Sequence, residues 1–386
     1  MARPDWRIRW AAPIVVVAVV ALGYWWLRPK PPELGTAYIS EKNVTLWTST
    51  AEVRQPAATL HYGDRVTILA RQGVSVRVKT AAGAMGWVDS AALMDPGIWQ
   101  RATALLTRAR GMVVQARGYA KTITNVHIEP GRATDRIYQF GRNVPVVVLA
   151  RAVAPATAPG AAPGSEASGE QNAPAEGVTG GGAGAADESK PKLEDWLLVM
   201  RDVSAGTVAL PGESAGLSTG ASAETQNVAP PAGANAVAES ALPMAGWVLA
   251  RFIQLDPPGP VRDNALSSDF HVVAWFELNQ VPTANGEMPQ YLVAGSRGEE
   301  GQVCDFTLLR VYTWDDPRQR YETAFIESDL CGKFPIHVSQ AAGAPEFQFA
   351  ETGEPGGERT YVMHRTIVTR VGAEQKRAKA QRRSSK

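Results

Sequence analysis

The feature that most constrains this chain is an internal repeat. Asn43-Val44-Thr45-Leu46 recurs as Asn125-Val126-His127-Ile128. Tyr62-Gly63-Asp64-Arg65-Val66-Thr67-Ile68-Leu69-Ala70-Arg71 recurs, two residues longer, as Phe140-Gly141-Arg142-Asn143-Val144-Pro145-Val146-Val147-Val148-Leu149-Ala150-Arg151. Gly86-Trp87-Val88 recurs as Gly246-Trp247-Val248, and Asp95-Pro96 as Asp256-Pro257. Three blocks in one order require two copies of one structural unit. Short β-branched runs broken by glycine and polar turns predict a small antiparallel barrel for each copy.

These blocks resemble bacterial Src-homology-3 domains, small five-stranded barrels of exported bacterial proteins. The first unit, residues 36–96, carries nearly the whole pattern, including Arg77-Val78-Lys79-Thr80 and Gly86-Trp87-Val88. It departs where Val74-Ser75 replace an aromatic that the second unit, residues 119–258, keeps as Trp196. The resemblance implies an aromatic-lined groove for wall peptide or glycan. Its candidates are Trp47, Tyr62 and Trp87 in the first unit, with Phe140, Trp196 and Trp247 in the second. Exposed rings would offer flat apolar area with a polar edge. The alternative is that Trp87 and Trp247 belong to the barrel cores.

Two inserts interrupt the second unit. Residues 152–190 are 24 of 39 Gly, Pro or Ala without an aromatic, and residues 204–243 hold neither an aromatic nor a Lys or Arg. Such compositions bury too little apolar surface to offset backbone ordering, so both are expected to be flexible. Between the units, residues 97–118 place Trp99, Leu105, Leu106, Met112 and Val113 against Arg101, Arg108, Arg110 and Arg117, the pattern of a short amphipathic helix interrupted near Gly111.

Residues 10–27 contain no charge, the lower limit of a bilayer-spanning helix. Trp10 stands at one end and Tyr24, Trp25 and Trp26 at the other, as at two headgroup levels. Arg3, Arg7 and Arg9 precede the run, placing residues 1–9 in the cytoplasm and the bulk of the chain on the exported side. A cleaved signal peptide is the rival reading, although Gly23-Tyr24-Trp25-Trp26 offers no small-x-small cleavage site. Cys304 and Cys331, 27 residues apart, fit an exported disulfide.

Residues 262–372 hold alternating or aromatic-rich runs at 270–278, 290–294, 306–314, 321–327, 336–339, 347–351 and 361–371, which predict a third, antiparallel β domain. A basic tail, residues 373–386, follows. The fold expected is therefore mainly β: a transmembrane helix, two Src-homology-3-like barrels and a C-terminal β domain.

Chemistry is sparse. With 39 Lys and Arg against 38 Asp and Glu, the chain lacks the basic excess of a nucleic-acid binder. There is no Gly-x-Ser-x-Gly elbow, His-Glu-x-x-His, P-loop or dinucleotide fingerprint, so no catalytic residue, metal or cofactor is assigned. His271, His337 and His364 read as strand residues, and Asp315-Asp316 and Glu299-Glu300 as solvated turns. The expected function is a non-enzymatic, membrane-anchored envelope protein binding wall peptide, glycan or a protein partner. Two alternatives stay open: a wall hydrolase with catalysis in the C-terminal domain, and an envelope sensor or adaptor.

Overall fold

The computed structural model describes residues 33–156, 192–202, 244–266, 270–284, 286–341, 343–352 and 357–371. The expected anchor, residues 10–27, the basic tail and nearly all of both inserts lie outside them. Among the described residues no helix is long and apolar enough to cross a membrane. The chain is mainly β with antiparallel pairing, and it divides into two compact units, one ending at Pro96 and the other starting at Gly97.

The first unit holds β1 (Gly35–Ile39), β2 (Asn43–Trp47), β3 (Pro56–His61), β4 (Arg65–Gln72), β5 (Ser75–Thr80), β6 (Met85–Asp89) and β7 (Leu93–Met94). They form one sheet in the order β3-β2-β6-β5-β4-β1-β7. Period-2 alternation sends Val44, Leu46, Val66, Ile68, Val76 and Val78 to a common core. The β4–β5 hairpin turns at Gly73, whose φ of +56° suits a residue without a side chain.

The second unit opens with α1 (Pro96–Ala109), which buries Ala102, Leu105 and Ala109. Arg101 on this helix is paired with Asp135 at 2.7 Å. Then follow β8 (Ala116–Ala120), β9 (Thr124–His127), β10 (Arg136–Phe140), β11 (Pro145–Pro155), β12 (Leu193–Arg201), β13 (Ala245–Leu249) and β14 (Ile253–Leu255). Their sheet order is β10-β9-β13-β12-β11-β8-β14, strand for strand the order of the first sheet.

The repeated Gly-Trp-Val has a steric cause. A Cβ on Gly86 would lie 2.6 Å from the Trp47 carbonyl oxygen, and one on Gly246 would lie 2.9 Å from that of His127 and strike Val126. At both places the strand crosses its neighbour too closely for any side chain.

One boundary differs from expectation. Residues 152–155, read as the start of a flexible insert, extend β11 and pair with β12 from Ala152–Trp196 to Pro155–Leu193. Ala154 is buried against Trp196 and Leu249, and that packing holds a stretch that composition alone would leave as loop.

After α2 (Gly259–Leu266) come two four-stranded antiparallel meanders. The first is β15 (His271–Thr283), β16 (Gly286–Ser296), β17 (Leu308–Asp315) and β18 (Arg320–Glu327). The second is β19 (Gly332–Ala341), β20 (Ala344–Glu351), β21 (Glu358–His364) and β22 (Ile367–Arg370). Leu292, Leu309 and Val311 of one sheet share a core with Ile336, Phe347, Phe349 and Tyr361 of the other, giving a sandwich. On the opposite face of the first meander, Tyr291, Val293, Leu308 and Tyr312 pack with Val261 of α2. Burial on both faces explains why Tyr291-Leu292-Val293-Ala294 does not alternate. The last run expected, at 361–371, is two strands because the chain turns at Arg365, where φ is +57°. Cys304 and Cys331 form a disulfide with Cα atoms 4.7 Å apart.

Candidate binding grooves

Each repeat carries a groove at the same place in its sheet. In the first, Trp47 of β2 and Trp87 of β6 are register partners and both stay half-buried. With Glu41, Asn43, Arg54 and Asp89 they line a groove of about 490 Å³. The Arg54 guanidinium lies 4.3 Å from the centroid of Trp47, a cation–π contact on one wall. Glu41 and Asp89 against Arg54 leave this groove one net negative charge.

The second groove, of about 600 Å³, is lined by Asn125, His127, Arg132, Trp196, Arg251 and Phe252, among others. Asn125 is the repeat counterpart of Asn43. Trp196 pairs across the sheet with Leu249, just as Ser75 pairs with Asp89, so Trp196 occupies the position of Ser75. Trp196 is only 1% exposed and forms part of the groove floor. The His127 ring meets it edge-on, at 5.3 Å between centroids. Its indole Nε1 is buried without a hydrogen-bond partner, an uncommon condition for such a donor.

Beside this floor, Glu194 is buried and held on two sides. Arg132 donates through Nε to Oε2 at 2.8 Å and through Nη2 to Oε1 at 2.7 Å, and Arg251 donates through Nη1 to Oε1 at 3.0 Å. The Arg132 hydrogen bond, more than any other influence, holds the Glu194 carboxyl below its ordinary pKa against the opposing effect of burial. The carboxylate thus stays ionised between the two guanidinium groups.

Of the six aromatic residues expected in grooves, Trp47, Trp87 and Trp196 line one. Three do not. Phe140 is 1% exposed and packs edge-on against Tyr138, because its place on β10 points inward. Tyr62 lies in the turn between β3 and β4, outside the groove lining. Trp247 packs with Phe252 against the buried cluster of Ala154, Trp196 and Leu249 and lines no part of the second groove. The charged lining residues Arg54, Arg132 and Arg251 escaped sequence reading. Arg251 was the nearest to detection, because it follows Gly246-Trp247-Val248 at the spacing that separates Ala91 from Gly86-Trp87-Val88.

A third cavity, of about 290 Å³, separates the second sheet from the sandwich and is lined by Arg151, Asp195, His271, Glu300, Asp305 and Phe334, among others. The Arg151 side chain is buried there and bonded through both terminal nitrogens. It bonds Asp195 at 2.5 Å, Asp305 at 3.0 Å and the carbonyls of Gln302 and Cys304 at 2.8 and 3.2 Å. Its guanidinium serves the fold rather than a ligand. Among the described residues no group of three His, Cys, Asp or Glu could hold a metal ion.

No protein-family model matches the chain, and no curated protein matches it. Among solved structures, NlpC2 from Trichomonas vaginalis is similar over 32% of this chain and 40% of that one, at 14% identity. The TM-score is 0.15, too low for the likeness to bear on fold or function.

Proposed function

We propose that this is a non-enzymatic, membrane-anchored envelope protein whose repeated sheets are bacterial Src-homology-3-like barrels binding an extended wall peptide or glycan, or a protein partner. One observation carries the reading. A groove of several hundred cubic ångströms recurs at the same strand positions in both repeats, floored or walled by tryptophan each time. Duplicated cores need not duplicate a concavity, whereas duplicated binding modules do. The half-buried indoles of Trp47 and Trp87, flanked by Asn43, suit an extended polar chain. The Cys304–Cys331 disulfide supports residence in an oxidising compartment, consistent with an anchor at residues 10–27 and an exported remainder.

Co-sedimentation of the full-length chain with purified peptidoglycan tests this. Retention that falls in the double variant Trp47→Ala/Trp87→Ala, with the fold intact by circular dichroism, supports the grooves as the contact. Equal retention of variant and parent contradicts the groove contact, and no retention of the parent contradicts wall binding.

A further inference from the structure

The two grooves share a position but not a charge, and the second is built to receive an anion. Two guanidinium groups, Arg132 and Arg251, line it, and both bond the buried Glu194 carboxylate beside it. Among the described residues lining that groove none is acidic. Arg251 is about two-fifths exposed and gives Glu194 only its Nη1 hydrogen bond. The indole Nε1 of Trp196 adds a buried donor with no acceptor. Gln139 Nε2 donates to Asn125 Oδ1 at 3.1 Å, which leaves Asn125 Nδ2 as a donor and Gln139 Oε1 as an acceptor, the pair that a peptide amide requires.

From these features we infer that the second groove binds a peptide through a carboxylate held at Arg251, with the adjoining amide read by Asn125 and Gln139. The inference rests on the groove reading above and adds the ligand group. A guanidinium fork matches a carboxylate in shape as well as charge, and a charge-assisted hydrogen bond in a half-buried site is worth about tenfold in affinity. The first groove, with Glu41 and Asp89 in its lining, should show no such preference.

The test titrates the full-length chain with three probes: N-acetyl-tetraalanine with a free C-terminus, the same peptide as its amide, and an amidated N-acetyl peptide carrying one internal glutamate. Either carboxylate peptide should bind about tenfold more tightly than the neutral amide, and whichever binds tighter identifies a chain end or a side chain as the source. Arg251→Ala should abolish the preference, and Arg251→Lys should keep part of it. Raising ionic strength should shrink it in the parent protein, a measurement that needs no variant. Equal affinity for acid and amide, or a preference that survives Arg251→Ala, overturns the anion site while leaving wall retention untouched. A carboxylate preference without any retention on peptidoglycan would instead overturn the wall-binding reading and keep this one.

Discussion

Gln115 grips Ile336, 221 residues further on, by both ends of its side-chain amide. Oε1 accepts the Ile336 N–H at 2.9 Å, while Nε2 donates to the carbonyls of Val113 at 3.0 Å and Ile336 at 3.4 Å. Its backbone N–H reaches Val148 and its carbonyl accepts from Trp275. One fully buried residue thereby joins the second repeat to both sheets of the sandwich. Gln115→Ala would strand the buried N–H and carbonyl of Ile336. A loss of about 2 kcal/mol is expected, read as a lower urea midpoint with an unchanged slope.

Arg151 ties the same two parts together by charge. Its removal leaves Asp305, with 7% side-chain exposure, supported only by Lys333 at 3.7 Å and by the Phe334 N–H at 2.9 Å. Arg151→Ala should therefore destabilise the second unit by about 3 kcal/mol. Arg151→Lys should recover part of this, because one ammonium cannot reach two carboxylates and two carbonyls together. Denaturant unfolding of both variants checks the ranking.

Closing the 27-residue segment between Cys304 and Cys331 should contribute about 3–4 kcal/mol in the chain-entropy account. Thermal melting with and without reductant reads it. The paired Cys304→Ser/Cys331→Ser protein should melt at the reduced parent's temperature and be insensitive to reductant.

Glu194 sets the acid side of stability in the second repeat. Its carboxyl titrates below the ordinary range in the folded chain, chiefly through the Arg132 hydrogen bond. The stability it supplies is complete above the unfolded carboxylate value and drains away as pH falls through the lower folded value. Glu194→Gln should be markedly less stable than the parent at about pH 7, and the gap should be narrower at about pH 3. Urea unfolding at both pH values decides. A gap that stayed constant would contradict the role.

The sequence spoke most clearly where physics is local. The three repeated blocks mark the two sheets, and Gly86 and Gly246 keep their place because neighbouring backbone leaves no room for Cβ. The alternating runs after residue 270 become strands close to the expected positions, since the pleat imposes its period directly on composition. Long-range chemistry was invisible. Glu194 and Arg132 are 62 positions apart and Arg151 and Asp305 are 154, and no spacing rule joins such residues. Phe140 shows the other limit. An aromatic at a strand end carries no mark of which face it takes, and the fold turned this one inward.

Both grooves are proposed to engage wall material, and binding isotherms on purified peptidoglycan test this most directly. Trp47→Ala/Trp87→Ala in the first groove and Arg251→Ala in the second should each weaken the full-length chain severalfold. Combining them should lower affinity beyond either set alone, because two tethered sites raise each other's effective concentration. An isotherm for the combined variant that overlays the parent's, with folding intact, would contradict the account.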